Sequence, residues 1–260
     1  MTHLTPNWAT DLAILAAGGS KVADHGDHLV VRTAANPQFH WGNFVLVTDP
    51  GTVDDPDRWR GVFAENFPDA DWVAIGLPVR PSEAAAWERA GLPLQDLDVL
   101  VTGSRPVATS CPAGHVVRPF GPGDWERDLA RGMAENAASG RHDPAAFEAF
   151  VTAQSEQRRD LVARGLAVWF GAFSGDRLVA DLGIVRCGNR ARYQDVSTDV
   201  DFRRRGLASH LLGVAGEWAR SQGCTEWVIV TETESDAGRV YRRAGFRPSA
   251  GGTEAYQEPS

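Results

Sequence analysis

The sequence predicts an α+β fold: a mixed, mostly antiparallel sheet flanked by helices. Three observations carry that reading. Over residues 116–260 the apolar period alternates between that of strands and that of helices, in the order β, αα, βββ, α, β, α, β. A stretch dense in Pro, Gly and Ser (SRPVATSCPAGHVVRPFGPG, 104–123) punctuates the chain ahead of those elements. The length of 260 residues corresponds to about 1.7 average domains. Two domains are therefore expected, 1–115 and 116–260, the second opening on a strand at about His115–Pro119.

In the second domain, Asp124 reads as the N-cap of a helix through WERDLARGMAENA that closes at Ser139–Gly140. A second helix is expected from Asp143 to Ala163, ending before Gly165. Leu166–Phe173 and Leu178–Val185 form a hairpin around Ser174-Gly175-Asp176, and Ala191–Thr198 extends it to a meander. Leu207, Leu211, Leu212, Ala215 and Trp218 then share one helical face, closed by Gly223. Glu226–Val230 is a short buried strand, and Ser235 or Asp236 caps a brief helix stopped at Gly245. A last strand is expected within Phe246–Tyr256. The first domain shows strands at His28–Arg32, Asn43–Thr48 and Asp71–Gly76, with a helix over Pro56–Asn66.

Composition narrows the function classes. With 43% hydrophobic and 23% charged residues the chain is an ordinary globular protein. Its net charge of −8 argues against a general affinity for nucleic acid or anionic membrane. That charge is uneven: residues 1–115 hold 7 basic and 14 acidic side chains, whereas 116–260 hold 19 and 20. Lys21 is the sole lysine, an arginine bias that reads as GC-rich, bacterial coding. Three scattered cysteines without a CxxC pair suit a reducing cytoplasm, and Cys187 and Cys224 read as small buried hydrophobes. No signal or membrane span is expected, and no His/Cys cluster suggests a metal.

The chemistry concentrates at Arg203-Arg204-Arg205-Gly206-Leu207-Ala208-Ser209, where a strand runs into a long amphipathic helix. A helix N-terminus offers unpaired N–H groups and a partial positive charge. Gly206 and Ala208 permit close approach to the backbone, and the arginines add counter-charge, so a phosphate or pyrophosphate suits the junction. A solvated basic helix start is the plain alternative.

Arg203-x-x-Gly206-x-Ala208 resembles the R/Q-x-x-G-x-G/A signature of the GNAT superfamily of acyl-CoA-dependent N-acetyltransferases. VVRPFGPGDWERDL (116–129) is similar to that family's opening strand and first helix, YQDVSTDVDFRRRGLASHLL to its strand-to-helix core, and Val240–Phe246 to its closing L-Y-x-x-x-G-F segment. The resemblance implies that acetyl-CoA is the co-substrate. Backbone N–H groups of Arg204, Arg205, Gly206, Leu207, Ala208 and Ser209 would hold its pyrophosphate, beside Arg203. The strand end Val196, Ser197, Thr198 to Val200 would pair with the pantetheine arm and supply an oxyanion-hole amide. Tyr241 stands at the family's proton-donor position, though it also reads as a core aromatic. Asp195 matches an acidic position that makes it a candidate base, with Asp181, Glu232 and Glu234 as others; Glu234 also replaces a cofactor-contacting Asn. The acceptor implied is an amine on a small molecule or peptide. A non-catalytic acyl-CoA-binding module and aminoacyl transfer from charged tRNA are the rival readings.

A short echo links the halves. Asp71-Trp72-Val73-Ala74-Ile75 parallels Glu226-Trp227-Val228-Ile229-Val230, and Trp87-Glu88-Arg89-Ala90-Gly91 parallels Tyr241-Arg242-Arg243-Ala244-Gly245. The first half is accordingly expected to be a smaller, degenerate GNAT-like copy, or an accessory domain. Its equivalent loop, Asp49–Arg60, carries Asp49, Asp54, Asp55 and Asp57, which would repel a pyrophosphate.

Overall fold

The computed structural model describes residues 4–107 and 109–259. In chain order its elements are α1 (Pro6–Ala17), β1 (Lys21–Asp24), β2 (His28–Arg32), β3 (Phe44–Val47), α2 (Pro56–Asn66), β4 (Val73–Leu77), α3 (Ala84–Arg89), β5 (Leu94–Thr102), β6 (Val116–Pro119), α4 (Pro122–Ser139), α5 (Pro144–Ala163), β7 (Ala167–Ser174), β8 (Arg177–Cys187), β9 (Arg190–Thr198), α6 (Leu207–Ser221), β10 (Glu226–Glu232), α7 (Asp236–Arg243), β11 (Arg247–Pro248) and β12 (Thr253–Gln257).

These elements form two compact units. The first comprises Met1–Val99, Thr231–Thr233 and Ser249–Ser260; the second comprises Leu100–Val230 and Glu234–Pro248. The division differs from a cut at 115/116. Residues 100–115 belong with the second unit, and the C-terminal tail belongs with the first. The tail, expected as one closing strand, is two: β11 pairs with β5 at Arg247↔Val101, while β12 pairs with β4 and with Leu94–Asp96 of β5. Turn residues at Ser249-Ala250-Gly251-Gly252 separate them.

In the first unit, β1, β2 and β3 form an antiparallel meander. The chain then crosses through α2 to β4, which runs parallel to β3, and β12 lies antiparallel between β4 and the start of β5. Its core gathers Trp8, Phe44, Trp59, Phe63 and Trp87. The periodicity reading missed α1, the exposed edge strand β1 and β5.

The second unit repeats that order with more helix. Strands β6, β7, β8 and β9 form an antiparallel meander, and a crossover through α6 leads to β10, parallel to β9. Leu207, Leu211, Leu212, Ala215 and Ala219 of α6 are all buried, each leucine contributing roughly 1.5–3 kcal/mol of apolar burial. Helices α4 and α5 pack on one another and on β8 and β7. Helix α4 begins two residues before Asp124. Gly121 is its N-cap, and Asp124 acts from N3 by accepting the Gly121 N–H at 2.7 Å. Asp143 does cap α5, accepting from Ala146 N at 2.8 Å. Cys224 is buried as expected, but Cys187 is only half-buried. Among the described residues no helix is long and apolar enough to cross a membrane.

Candidate functional site

The site grows from the crossover β9–α6–β10. Strands β9 and β10 are paired only at Arg190↔Glu226, Ala191↔Trp227 and Arg192↔Val228. Both strands continue beyond those pairs without a ladder between them, so a wedge opens toward the C-terminal end of β9. A bulge lies at the mouth of the wedge. On β8, Gly183 pairs with Gln194 and Asp181 with Ser197, so Asp195 and Val196 together face the single residue Leu182. Asp195 adopts φ 50, a left-handed conformation that aspartate tolerates better than most residues. The bulge restarts the alternation. Asp195 and Ser197 both meet partners on the α4/α5 face, Arg158 and Asp181 respectively, while Val196 packs against the core that holds α6.

Beyond Thr198 the chain makes a 3-10 turn at Val200–Phe202 and then enters α6. Gly206 is the N-cap at φ 89, where a Cβ would meet Pro112 Cγ at an ordinary 3.9 Å; the backbone conformation, not crowding, calls for glycine. No side chain caps this helix. His210 is the first residue to return its N–H to the helix, at 3.0 Å to Gly206 O. The N–H groups of Leu207, Ala208 and Ser209 therefore have no partner within the helix, and donors so placed suit an anion. Arg203 spends its Nε on Thr198 O at 3.1 Å, and Arg205 places its guanidinium 4.8 Å over Phe202. Neither they nor Arg204 form an ion pair among the described residues, and all three are exposed. Arg204 itself sits at φ 60. The stretch read as an inter-domain connector contributes contacts here: Pro106 abuts Gly216 of α6, Thr109 O meets His210 Nδ1 at 2.6 Å, and His115 packs edge-on to Phe202.

Two acid–arginine pairs line the α4/α5 face of the bulge. Asp195 is partly exposed and pairs with Arg158 at 2.7 Å. Asp181 is only 2% exposed, receives Arg131 of α4 at 2.6 Å and accepts the Ser197 hydroxyl at 2.6 Å. Arg131 is shared: Asp128 lies at 2.7 Å and Asp199 at 4.0 Å. Burial drives the Asp181 carboxyl up to about 7, against the pull of Arg131. A carboxylate in that range is matched to proton transfer at neutral pH. Arg158 also lies 5.5 Å over Trp169, whose indole packs beside Trp125.

Tyr241 is on α7, 4% exposed in the hydrophobic core, and its hydroxyl makes no hydrogen bond among the described residues. Burial pushes that hydroxyl up to about 12, so it stays protonated. Glu234 is exposed at φ 60, immediately before Ser235, which caps α7 by accepting from Gly238 N at 3.1 Å. Glu232 ends β10 and is exposed. Neither glutamate is placed against the bulge by a contact, in contrast to Asp181 and Asp195.

In the first unit the start of the crossover helix α2 is capped. Asp55 caps α2 by accepting from Arg58 N at 3.0 Å, and Pro56 removes another donor. Asp49 accepts from Gly51 N at 2.8 Å, and Asp54 takes Ser82 Oγ and Glu83 N. Asp55 thus occupies a donor of the α2 N-terminus, and Asp49 and Asp54 add negative charge beside it. Trp87, which the sequence echo aligns with Tyr241, donates Nε1 to Val53 O at 2.9 Å and is fully buried.

A wedge between parallel strands thus opens beside an uncapped, arginine-flanked helix start, an arrangement suited to an anionic ligand. Residues 135–246 match the family model of the acetyltransferase (GNAT) family. The second unit belongs to the GNAT superfamily. Solved structures extend the likeness in fold to nearly the whole chain. A GCN5-related N-acetyltransferase from Kribbella flavida superposes with a TM-score of 0.66 at 15% identity, covering 98% of this chain and 95% of that one. A functionally unknown conserved protein from Staphylococcus epidermidis gives 0.67 at 11%, covering 93% and 95%. A GCN5-related N-acetyltransferase from Sphaerobacter thermophilus gives 0.60 at 21%, covering 91% and 82%. No curated protein matches the chain significantly.

Proposed function

We propose that the second unit transfers an acetyl group from acetyl-CoA to an amine of a small molecule or peptide, by direct attack within a ternary complex. The observation that carries this reading is the wedge between β9 and β10 standing next to the uncapped, Gly206-initiated start of α6. The N–H groups from Arg204 to Ser209, with the unpaired charges of Arg203, Arg204 and Arg205, suit a pyrophosphate. The extended backbone from Val196 to Thr198, leading to Val200, suits a pantetheine arm, and an amide at the bulge suits a polarised thioester carbonyl.

The two carboxylates on the α4/α5 face divide the work. Asp195, exposed and paired with Arg158, is placed to orient a cationic acceptor. Asp181, buried and raised toward neutrality, is the better proton acceptor. Tyr241, held protonated by burial, is a proton source for the departing thiolate. The first unit is read as a diverged copy of the same fold, because meander, crossover helix, parallel strand and short helix recur in it in the same order. With its helix start capped by Asp55, it is assigned a structural or acceptor-shaping role.

Equilibrium titration with acetyl-CoA tests the reading. Wild type is expected to bind, and Gly206→Glu to lose at least 100-fold in affinity, because a carboxylate would enter the cradle and a side chain would strain φ 89. Unchanged binding in Gly206→Glu refutes it. Thiol release over a panel of amines then identifies the acceptor.

A further inference from the structure

Asp181 and Ser197 are cross-strand partners at the wedge, and their relation to Arg131 has a chemical consequence. The Ser197 hydroxyl donates to Asp181 Oδ1 at 2.6 Å, and Arg131 reaches the same oxygen at 2.6 Å. Asp181 is too deeply buried to meet an acceptor amine itself, whereas Ser197 is half-buried on the bulged strand, two residues past Asp195 and on the same face. With its own proton directed at Asp181, Ser197 Oγ turns its lone pairs away from the carboxylate and is free to accept.

We propose that Ser197 and Asp181 form a proton relay that deprotonates the acceptor ammonium. As the acceptor N–H bond breaks, an O–H bond forms on Ser197 Oγ, and the original hydroxyl proton passes to Asp181 Oδ1. The freed nitrogen lone pair attacks the thioester carbonyl. When the C–S bond breaks, the second proton lost from nitrogen is matched by the one the thiolate takes up, and Asp181 later returns its proton to solvent. Arg131 is a positioning residue: shared among Asp128, Asp181 and Asp199, it fixes the Asp181 carboxyl without fully neutralising three acids. Arg177, paired to Asp199 at 3.0 Å, is the other cation of the cluster, and Arg158 is engaged by Asp195.

This inference rests on the acyl-transfer reading above, and the test separates the two. Acetyl-CoA affinity and the pH profile of kcat/KM are measured for wild type, Ser197→Ala, Ser197→Thr, Asp181→Asn and Ser197→Ala/Asp181→Asn, using an amine that wild type acetylates. Wild type is expected to show an acid limb near neutrality. Ser197→Ala is expected to lose about 100-fold in kcat/KM and to shift that limb upward, with acetyl-CoA affinity unchanged. Ser197→Thr, which keeps the hydroxyl, restores activity to within a few-fold. The double variant falls no further than the worse single one, because both residues act on one path. A wild-type profile in Ser197→Ala, or losses that multiply in the double variant, overturns the relay while leaving acyl transfer standing. Tight acetyl-CoA binding without thiol release from wild type on any amine removes the acyl-transfer reading and the relay with it.

Discussion

The indole of Trp169 lies against the backbone of Gly183, its cross-strand partner, so closely that a Cβ on Gly183 would collide with Cε2 and Cζ2 of the ring. The ring can therefore lie flat on β8 and support Arg158, which in turn holds Asp195. Gly183→Ala is expected to displace the indole and cost about 1–3 kcal/mol, as overpacking does. At this chain length, each kcal/mol corresponds to a fall of about 2–4 °C in Tm. Because the ring supports the acceptor face, KM for the amine should rise while acetyl-CoA affinity holds. Thermal unfolding and steady-state kinetics check the two halves of this expectation.

The two crossover helices make opposite use of their N-termini. Helix α2 spends its first donors on Asp55, whereas α6 leaves them open behind Gly206. Asp55→Ala is expected to cost about 0.5–2 kcal/mol through loss of the cap. It should leave acetyl-CoA affinity unchanged, because the lost bond lies within the first turn of α2 itself. Chemical denaturation and ligand titration on the same variant test the contrast directly.

How much of this was legible in the residues differs by element. The start of α6 behind Gly206 was legible because a helix start is local: one glycine, the adjacent charges and the apolar period that follows define it. The meander of the second unit was legible for the same reason, since hairpins join neighbours in sequence. What distant strands do was not legible. Nothing in Thr253–Gln257 says that it pairs with Val73–Leu77, so the tail read as part of the second domain. The Pro/Gly-rich segment read as a boundary, although Pro106, Thr109 and His115 pack onto α6 and its entry turn. The acid most suited to proton transfer was named only among several, because its selection comes from burial and from Arg131, fifty residues earlier. A local signal existed for the bulge only in hindsight: aspartate is among the few residues that accept the φ of 50 found at Asp195.

Asp124 sets an acid limit on stability. Its side chain is nearly buried, bonded to Arg118 and Arg127 and accepting the Gly121 N–H, and these partners hold the carboxyl down at about 2, with the Arg118 hydrogen bond the largest cause. A folded value below the unfolded one stabilises the native state above pH 4, and the contribution disappears as pH falls from about 4 to 2. Its size is about 2 kcal/mol at neutral pH. Asp181 has the opposite sign: its folded value is raised, so its ionisation weakens the fold as pH climbs from about 4 toward 7. In urea unfolding between pH 2 and 7, Asp124→Asn is expected to flatten the acid limb. Asp181→Asn is expected to flatten the slope between pH 4 and 7.

Arg203, Arg204 and Arg205 are exposed and carry charges that no carboxylate compensates among the described residues, in a chain whose net charge is −8. Their value to the fold is accordingly small. Arg205 stacks on Phe202, Arg203 bonds one carbonyl, and exposed contacts of this kind contribute little. Their value to an incoming polyanion is larger, because a local positive field persists against the acidic remainder over about 8–10 Å at physiological salt. Single Arg→Gln substitutions are thus expected to leave Tm within about 1 °C and to weaken acetyl-CoA binding by roughly 3- to 10-fold each. Binding should also lose salt dependence in proportion to the charges removed, since fewer ion contacts remain to be screened. Arg204→Gln separates charge from geometry: its backbone at φ 60 is part of the turn, so Arg204→Lys should restore affinity if charge governs. Titrations of wild type and the four variants at two salt concentrations decide the matter. A uniform loss of affinity with an unchanged salt response would show that these side chains shape the turn rather than attract the ligand.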